Sequence, residues 1–345
     1  MQIHINARFL TQRITGVQRF AIELCKQLRL LDQSIQFVAP NNIIHHELAK
    51  ELDVKIIGKK SGHLWEQLEL PNYLKKHNNP VLLNLCNTAP IFYNRNFVTI
   101  HDLAVIDFPS AYSFQFRKFY QFLLPNIAKN ALHVFTVSQF SKRRIKEEFK
   151  VDSTVIHNSV SDAFKQVNSQ EKKNYILSVS SLDPKKNFKG LVNAFISAEL
   201  SNYQLIVIGS ENKSFKSQDI PVDQPNIIFT GYVSDQKLIE LYQEATLFVY
   251  PSLYEGFGIP PLEAMACGCP TLVSDIPSLR EVCMDASVFF DPKSPHDLSE
   301  KLIQVIADKN LQTDLKTKGL LNVNRFSWEK SANELTKYME KFTNI

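Results

Sequence analysis

The stretch Leu247-Phe-Val-Tyr-Pro-Ser-Leu-Tyr-Glu255-Gly-Phe-Gly-Ile-Pro-Pro-Leu-Glu263-Ala-Met-Ala-Cys-Gly-Cys-Pro270 decides how the chain is read. Residues 247–250 form a short apolar run, as expected of a strand buried on both faces. Gly256 and Gly258 follow in a loop where the backbone can come close to a ligand. Pro260 and Pro261 then open a helix, because the fixed φ of proline suits the first helical positions. Unpaired N–H groups and the positive end of the helix dipole make that helix start an anion site. Glu263 is expected in the first helical turn. There it either caps the helix or accepts hydrogen bonds from sugar hydroxyls.

Outward from this unit, strand-like runs recur at 175–179, 205–208, 227–230, 271–273 and 287–290. The first half holds others at 3–5, 36–39, 55–57, 81–86, 97–100, 134–137 and 154–156. Helical patterns lie between several of them, at 17–31, 63–77, 114–130 and 139–149. Alternation of this kind reads as α/β with parallel sheets. A chain of 345 residues accommodates two such domains. The polar stretch 158–173 reads as the linker between them.

Composition excludes several classes. With 44% apolar and 21% charged residues the chain reads as globular. No apolar run reaches the length of a membrane span. The N-terminus reads as a first strand, which implies a cytoplasmic protein. Cys25, Cys86, Cys267, Cys269 and Cys283 form no paired framework, and Cys267-Gly-Cys269 lacks the partners of a zinc site. Residues 1–170 carry 21 lysines and arginines against 13 acids, a net +8, whereas the remainder has 18 against 22. A basic first half implies an anionic neighbour. Nucleic acid ranks last, since no recognition module accompanies the charge. Aromatic and basic residues interleave from Tyr112 to Lys118 and again near Lys142-Arg143-Arg144, a pattern that fits either core aromatics or a peripheral membrane face.

Candidate ligand residues sit where strands end. Lys185 and Lys186, in Asp183-Pro-Lys-Lys-Asn187, follow the strand at 175–179 and can neutralise a pyrophosphate. His101-Asp102 ends the strand at 97–100, in the position where open α/β sheets gather ligands. Gly16 closes the loop after the first strand. No G-x-G-x-x-G is present, so a dinucleotide fingerprint is missing.

Glu255 to Pro270 resembles the E-x7-E signature of the retaining glycosyltransferases of family 4, and the resemblance covers nearly the whole chain, specific over about residues 175–291 and softer before them. It implies the GT-B fold: α/β, with two Rossmann-like doubly wound domains facing across a cleft. Residues 1–168 are then the acceptor-binding domain and 169–326 the nucleotide-sugar-binding domain. A terminal helix, 327–345, is expected to pack back on the first. The resemblance carries roles over residue by residue. Glu263 holds ribose hydroxyls, while Glu255, Gly256, Phe257, Gly258 and Ile259 position the transferred sugar. Lys186 binds the diphosphate, Gly16 approaches it, His101 reaches the sugar, and the loop at Val233 borders the base. At Ser181 the chain departs from the family, many of whose members have arginine there.

The implied chemistry is a metal-independent front-face transfer with retention, in which the leaving phosphate deprotonates the acceptor. The resemblance reaches bacterial mannosyltransferases of O-antigen and capsule synthesis. It implies GDP-mannose as donor and a lipid-linked saccharide as acceptor, with peripheral contact at the inner membrane face. The alternatives are a UDP- or dTDP-sugar donor, or a non-catalytic GT-B partner subunit.

Overall fold

Apolar runs become the strands of two parallel sheets in the computed structural model, which describes residues 2–166, 171–179, 183–209 and 224–342. The first sheet comprises β1 (Ile3–Asn6), β2 (Gln36–Ala39), β3 (Val54–Ile56), β4 (Val81–Asn84), β5 (Asn96–Thr99), β6 (His133–Thr136) and β7 (Ser153–Val155). Its order is β3-β2-β1-β4-β5-β6-β7. Central β1 is buried throughout, and Ile5 pairs with Phe37 on one side and Leu83 on the other. The second sheet comprises β8 (Lys173–Val179), β9 (Gln204–Ile208), β10 (Ile227–Gly231), β11 (Ala245–Tyr250), β12 (Thr271–Ser274) and β13 (Val288–Phe290), in the order β10-β9-β8-β11-β12-β13. Leu247 and Val249 of β11 join Ile176, Phe188, Leu191 and Leu302 in its core.

In both sheets chain order reverses beside the first strand, between β1 and β4 and between β8 and β11. Ligands of doubly wound sheets bind at the carboxyl ends of strands at such a reversal, because the connections there leave the sheet in opposite directions.

Contacts divide the chain into two units. One is Met1–Leu103 with Lys118–Asn158 and Phe326–Ile345; the other is Ala104–Arg117 with Ser159–Arg325. The boundary expected at 168/169 falls outside the described residues. The division lies at Asn158/Ser159, since the chain just beyond it already packs on the second unit. There Phe164 meets the Tyr242 ring at 6.2 Å, and Gln243 Nε2 donates to the Lys165 carbonyl at 2.8 Å. The terminal helix Trp328–Lys341 belongs to the first unit, where Trp328 meets Phe20 edge-on and Ser331 Oγ donates to the His157 carbonyl.

The helix expected over 63–77 is interrupted. Gly62–Leu64 leads into a π-helical turn, Trp65–Glu69, before the α-helix resumes at Leu70–Lys75. The physical reason is local. Pro71 has no N–H to give, and Leu70 N–H reaches back five residues to the Trp65 carbonyl.

No helix among the described residues is long and apolar enough to cross a membrane. Cys25, Cys86, Cys267, Cys269 and Cys283 are free thiols, all buried except the half-buried Cys86.

Candidate active site

The reversal between β8 and β11 brings together two loops of the second unit. After β8, Asp183 accepts from the Lys185 backbone N–H at 3.0 Å and caps the short turn Pro184–Lys186. Asn187, at a φ of 53°, then turns the chain into the helix Phe188–Ser197. After β11, Leu253 N–H donates to the Lys185 carbonyl at 2.7 Å and ties the second loop to the first. Ser181 lies outside the described residues.

Lys186 Nζ donates to Glu255 Oε1 at 2.5 Å and to the Tyr250 hydroxyl at 3.2 Å. Both charged side chains are only 11% exposed. Burial works against each charge, yet each holds the other ionised. Lys186 keeps the Glu255 carboxyl below the usual carboxylate range, while Glu255, Tyr250 and Asp183 raise Lys186. Lys185 points elsewhere, to Asp183 Oδ2 at 3.0 Å and over the Tyr112 ring at 5.5 Å. The two lysines that sequence places side by side are therefore separated, because successive residues of a tight turn face different ways. Lys186 alone of the two meets Glu255.

Gly256, Phe257, Gly258 and Ile259 are all buried. Gly258 has a φ of +110°, and a Cβ there would stand 2.5 Å from Leu279 Cδ2. Only glycine fits. The helix beyond it is Ile259–Ala266, with proline in its first positions. Its start at Ile259 makes Glu263 the fifth residue, past the first turn in which it was expected, so helix capping does not account for it. Glu263 is instead buried and accepts from the Tyr242 hydroxyl at 3.2 Å. Burial, and then Glu263, push the Tyr242 phenol well above its ordinary value. Val233 is half-buried before the helix Asp235–Glu244, which Ser234 caps by accepting from Lys237 N–H at 3.2 Å.

Gly16 and His101 belong to the first unit. Gly16 is the first residue of the helix Gly16–Leu31, where Gln18 Oε1 accepts from the Thr15 backbone N–H. His101 is buried, and burial lowers its pKa to about 4, leaving the ring neutral at pH 7. Its Nε2 lies 2.8 Å from the Leu85 carbonyl, so the proton resides on Nε2 and Nδ1 is an acceptor.

Sequence reasoning missed Tyr250, Tyr242 and Asp183 as partners of the three acidic and basic site residues. It also missed Tyr254, whose hydroxyl donates to Asp107 Oδ2 at 3.0 Å within the same unit. A tyrosine closing an apolar strand was the available signal for Tyr250.

Comparison with known proteins shows what the chain is similar to. Residues 159–321 match the family described as glycosyl transferases group 1. The chain is 34% identical over 235 residues to the O-antigen chain mannosyltransferase RfbU of Salmonella typhimurium, a match covering 65% of this chain and 64% of that protein. It thus spans just under two thirds of that relative. To the O-antigen chain mannosyltransferase B of Escherichia coli it is 26% identical over 361 residues, covering 92% of this chain and 93% of the relative. Among solved structures, Anabaena Alr3699/HepE in complex with UDP and glucose superposes with a TM-score of 0.78 at 14% identity, over 99% of this chain and 100% of that one.

Proposed function

We propose that the chain is a member of the glycosyl transferases group 1, whose description residues 159–321 match, with the GT-B fold, and that it transfers a hexose from a nucleotide-sugar to a saccharide acceptor in surface polysaccharide synthesis. The observation that carries this reading is the buried Lys186–Glu255 pair beside the glycine-led helix Ile259–Ala266, at the reversal of the second sheet. A cation, a helix N-terminus and a tightly approaching backbone are what a departing nucleoside diphosphate needs. Mannose from GDP-mannose is the favoured donor, since two relatives are named as O-antigen mannosyltransferases. A lipid-linked saccharide is the favoured acceptor.

In this mechanism the bond from the sugar C1 to the diphosphate oxygen breaks as charge builds on the leaving group, which Lys186 and the helix start stabilise. The acceptor oxygen bonds to C1 on the same face, and its proton passes to the departing phosphate. Retention follows. Glu255 orients the sugar and holds Lys186 in place, Glu263 accepts from ribose hydroxyls, and neutral His101 accepts at Nδ1 from a sugar hydroxyl. Diphosphate-binding roles for Gly16 and Ser181 rest on the family resemblance alone. Val233 borders the base. Because protein groups supply the charge stabilisation, no metal is required.

A thermal-shift screen against GDP, UDP, dTDP, ADP and their sugars tests the assignment. One guanine series standing out, with donor turnover insensitive to EDTA, upholds it. A flat screen sinks the transferase reading, and a uridine response moves the donor to a UDP-sugar. The basic first half and the exposed Phe114 and Phe122 on the helix Phe114–Asn130 support peripheral membrane contact. The double change Phe114→Ser, Phe122→Ser should reduce flotation with anionic liposomes; unchanged flotation rejects this face.

A further inference from the structure

One stretch of the second unit comes from far upstream of the rest. Residues Ala104–Arg117 follow β5 of the first unit in the chain, yet pack with the second. Ala104–Asp107 forms one helical turn and Pro109–Ala111 a 3₁₀ turn, with proline at the position where its fixed φ suits a helix start. Ala104, Val105 and Ala111 are buried, so apolar contact already holds the segment in place. The Tyr112 ring stacks on Phe116 at 5.4 Å and folds the segment on itself.

Two further contacts run from this segment to the loops of the Lys186–Glu255 pair, each ending on the residue before one member. Asp107 Oδ2 accepts from the hydroxyl of Tyr254, which precedes Glu255, at 3.0 Å. The Tyr112 ring lies 5.5 Å from the ammonium of Lys185, which precedes Lys186. Lys185 also donates to buried Asp183, and its carbonyl accepts from Leu253 N–H. Asp107 and Tyr254 are 147 residues apart, and Tyr254 is buried.

Packing alone does not call for the Asp107–Tyr254 bond. A half-buried carboxylate loses hydration, a cost that phenylalanine at 254 facing an apolar residue at 107 would avoid. What a hydrogen bond to a charged acceptor adds is direction and strength. The loop after β11 has need of both. Gly256 and Gly258 leave its backbone soft, yet it must hold the Glu255 carboxylate 2.5 Å from Lys186. A displacement of about 1 Å at such a group costs on the order of a hundredfold in rate.

We propose that Tyr254 and Asp107 are positioning residues: their bond locks the loop after β11 so that Glu255 meets Lys186 and the transferred sugar, while Tyr112 steadies Lys185 on the neighbouring loop. Both act through the Lys186–Glu255 pair rather than on substrate. The effect on transfer rests on the transferase reading; the lock itself does not.

The test joins two measurements on the full chain. Hydrogen-exchange mass spectrometry follows the peptide covering 251–259 without substrate, and kinetics follow turnover of the nucleotide-sugar that the thermal-shift screen selects. Tyr254→Phe and Asp107→Leu should each speed exchange of that peptide about tenfold, as for loss of a hydrogen bond to a charged group. Each should lower kcat by a similar factor with KM nearly unchanged, the signature of an interaction realised in the transition state. The double variant should fall no further than either single one. Asp107→Asn, which keeps an acceptor, should restore both readouts. If Asp107→Leu does not fold, Tyr254→Phe against Asp107→Asn decides. Wild-type exchange in Tyr254→Phe overturns the proposal, as does a lower melting temperature with kcat intact, or a loss in Asp107→Asn equal to that in Tyr254→Phe. Faster exchange in a chain that turns over no nucleotide-sugar upholds the lock and removes the transferase reading.

Discussion

Removing one half of the Lys186–Glu255 pair strands the other charge away from water. Each side chain is 11% exposed, so breaking the pair costs about 3 kcal/mol or more, as for buried ion pairs generally. Lys186→Met should therefore lower the melting temperature as well as turnover, the latter on the order of a hundredfold for a lost leaving-group stabiliser. Calorimetry and donor-consumption assays on the same preparation check both. Near-normal turnover in a destabilised protein would assign Lys186 to the scaffold alone. Lys186 and Glu255 were legible in the sequence, because a lysine after one strand and a glutamate after another are placed by the topology. The buried Arg8–Glu66 ion pair of the first unit was not. Its members are 58 residues apart, and each alone reads as a solvated loop or helix charge.

Elements were read better than their edges. Every strand-like run of the second half becomes a strand because parallel strands, apolar on both faces, stand out as unbroken hydrophobic stretches. Helix registers are subtler. The prolines of Ile259–Ala266 mark the opening turn but not its first residue, and that single-residue difference moved Glu263 out of the first turn. A π turn is invisible to periodicity, since Trp65–Glu69 satisfies a helical pattern while closing a wider ring. Gly258 was legible as a glycine but not as a left-handed residue packed on Leu279. Gly258→Ala should lower stability by about 1–3 kcal/mol and weaken nucleotide binding, because the helix start must shift. A melting curve and a nucleotide titration check it; an unchanged affinity would show that this helix start does not face the diphosphate.

At the scale of the molecule, acid should act first on the first unit. His101 is lowered to about 4 from an ordinary 6.5, so the unfolded chain takes up the proton before the folded one. Its contribution is complete above pH 6.5 and is lost as pH falls towards 4, amounting to about 3 kcal/mol. Buried His4 on β1 is lowered likewise. Glu66, which burial would raise and Arg8 holds at about 2, adds a loss that begins below 4.5. Melting temperature should fall between pH 6.5 and 4, and His101→Gln should flatten part of that slope; parallel curves would remove His101 as its source.

The path of the chain carries a further consequence. Residues Ala104–Arg117 leave the first unit to join the second, where Asp107 receives the Tyr254 hydroxyl and Tyr112 lies under Lys185. The boundary at Arg117/Lys118 falls inside one helix, Phe114–Asn130. The portion that binds nucleotide in our reading is thus not an interchangeable cassette. A hybrid spliced from two relatives at Asn158/Ser159 would keep the old parent's support beneath the new parent's loop. Exchange of donor specificity between such enzymes by recombination at one junction is disfavoured, and inheritance of the two segments together is the combination that preserves the loop.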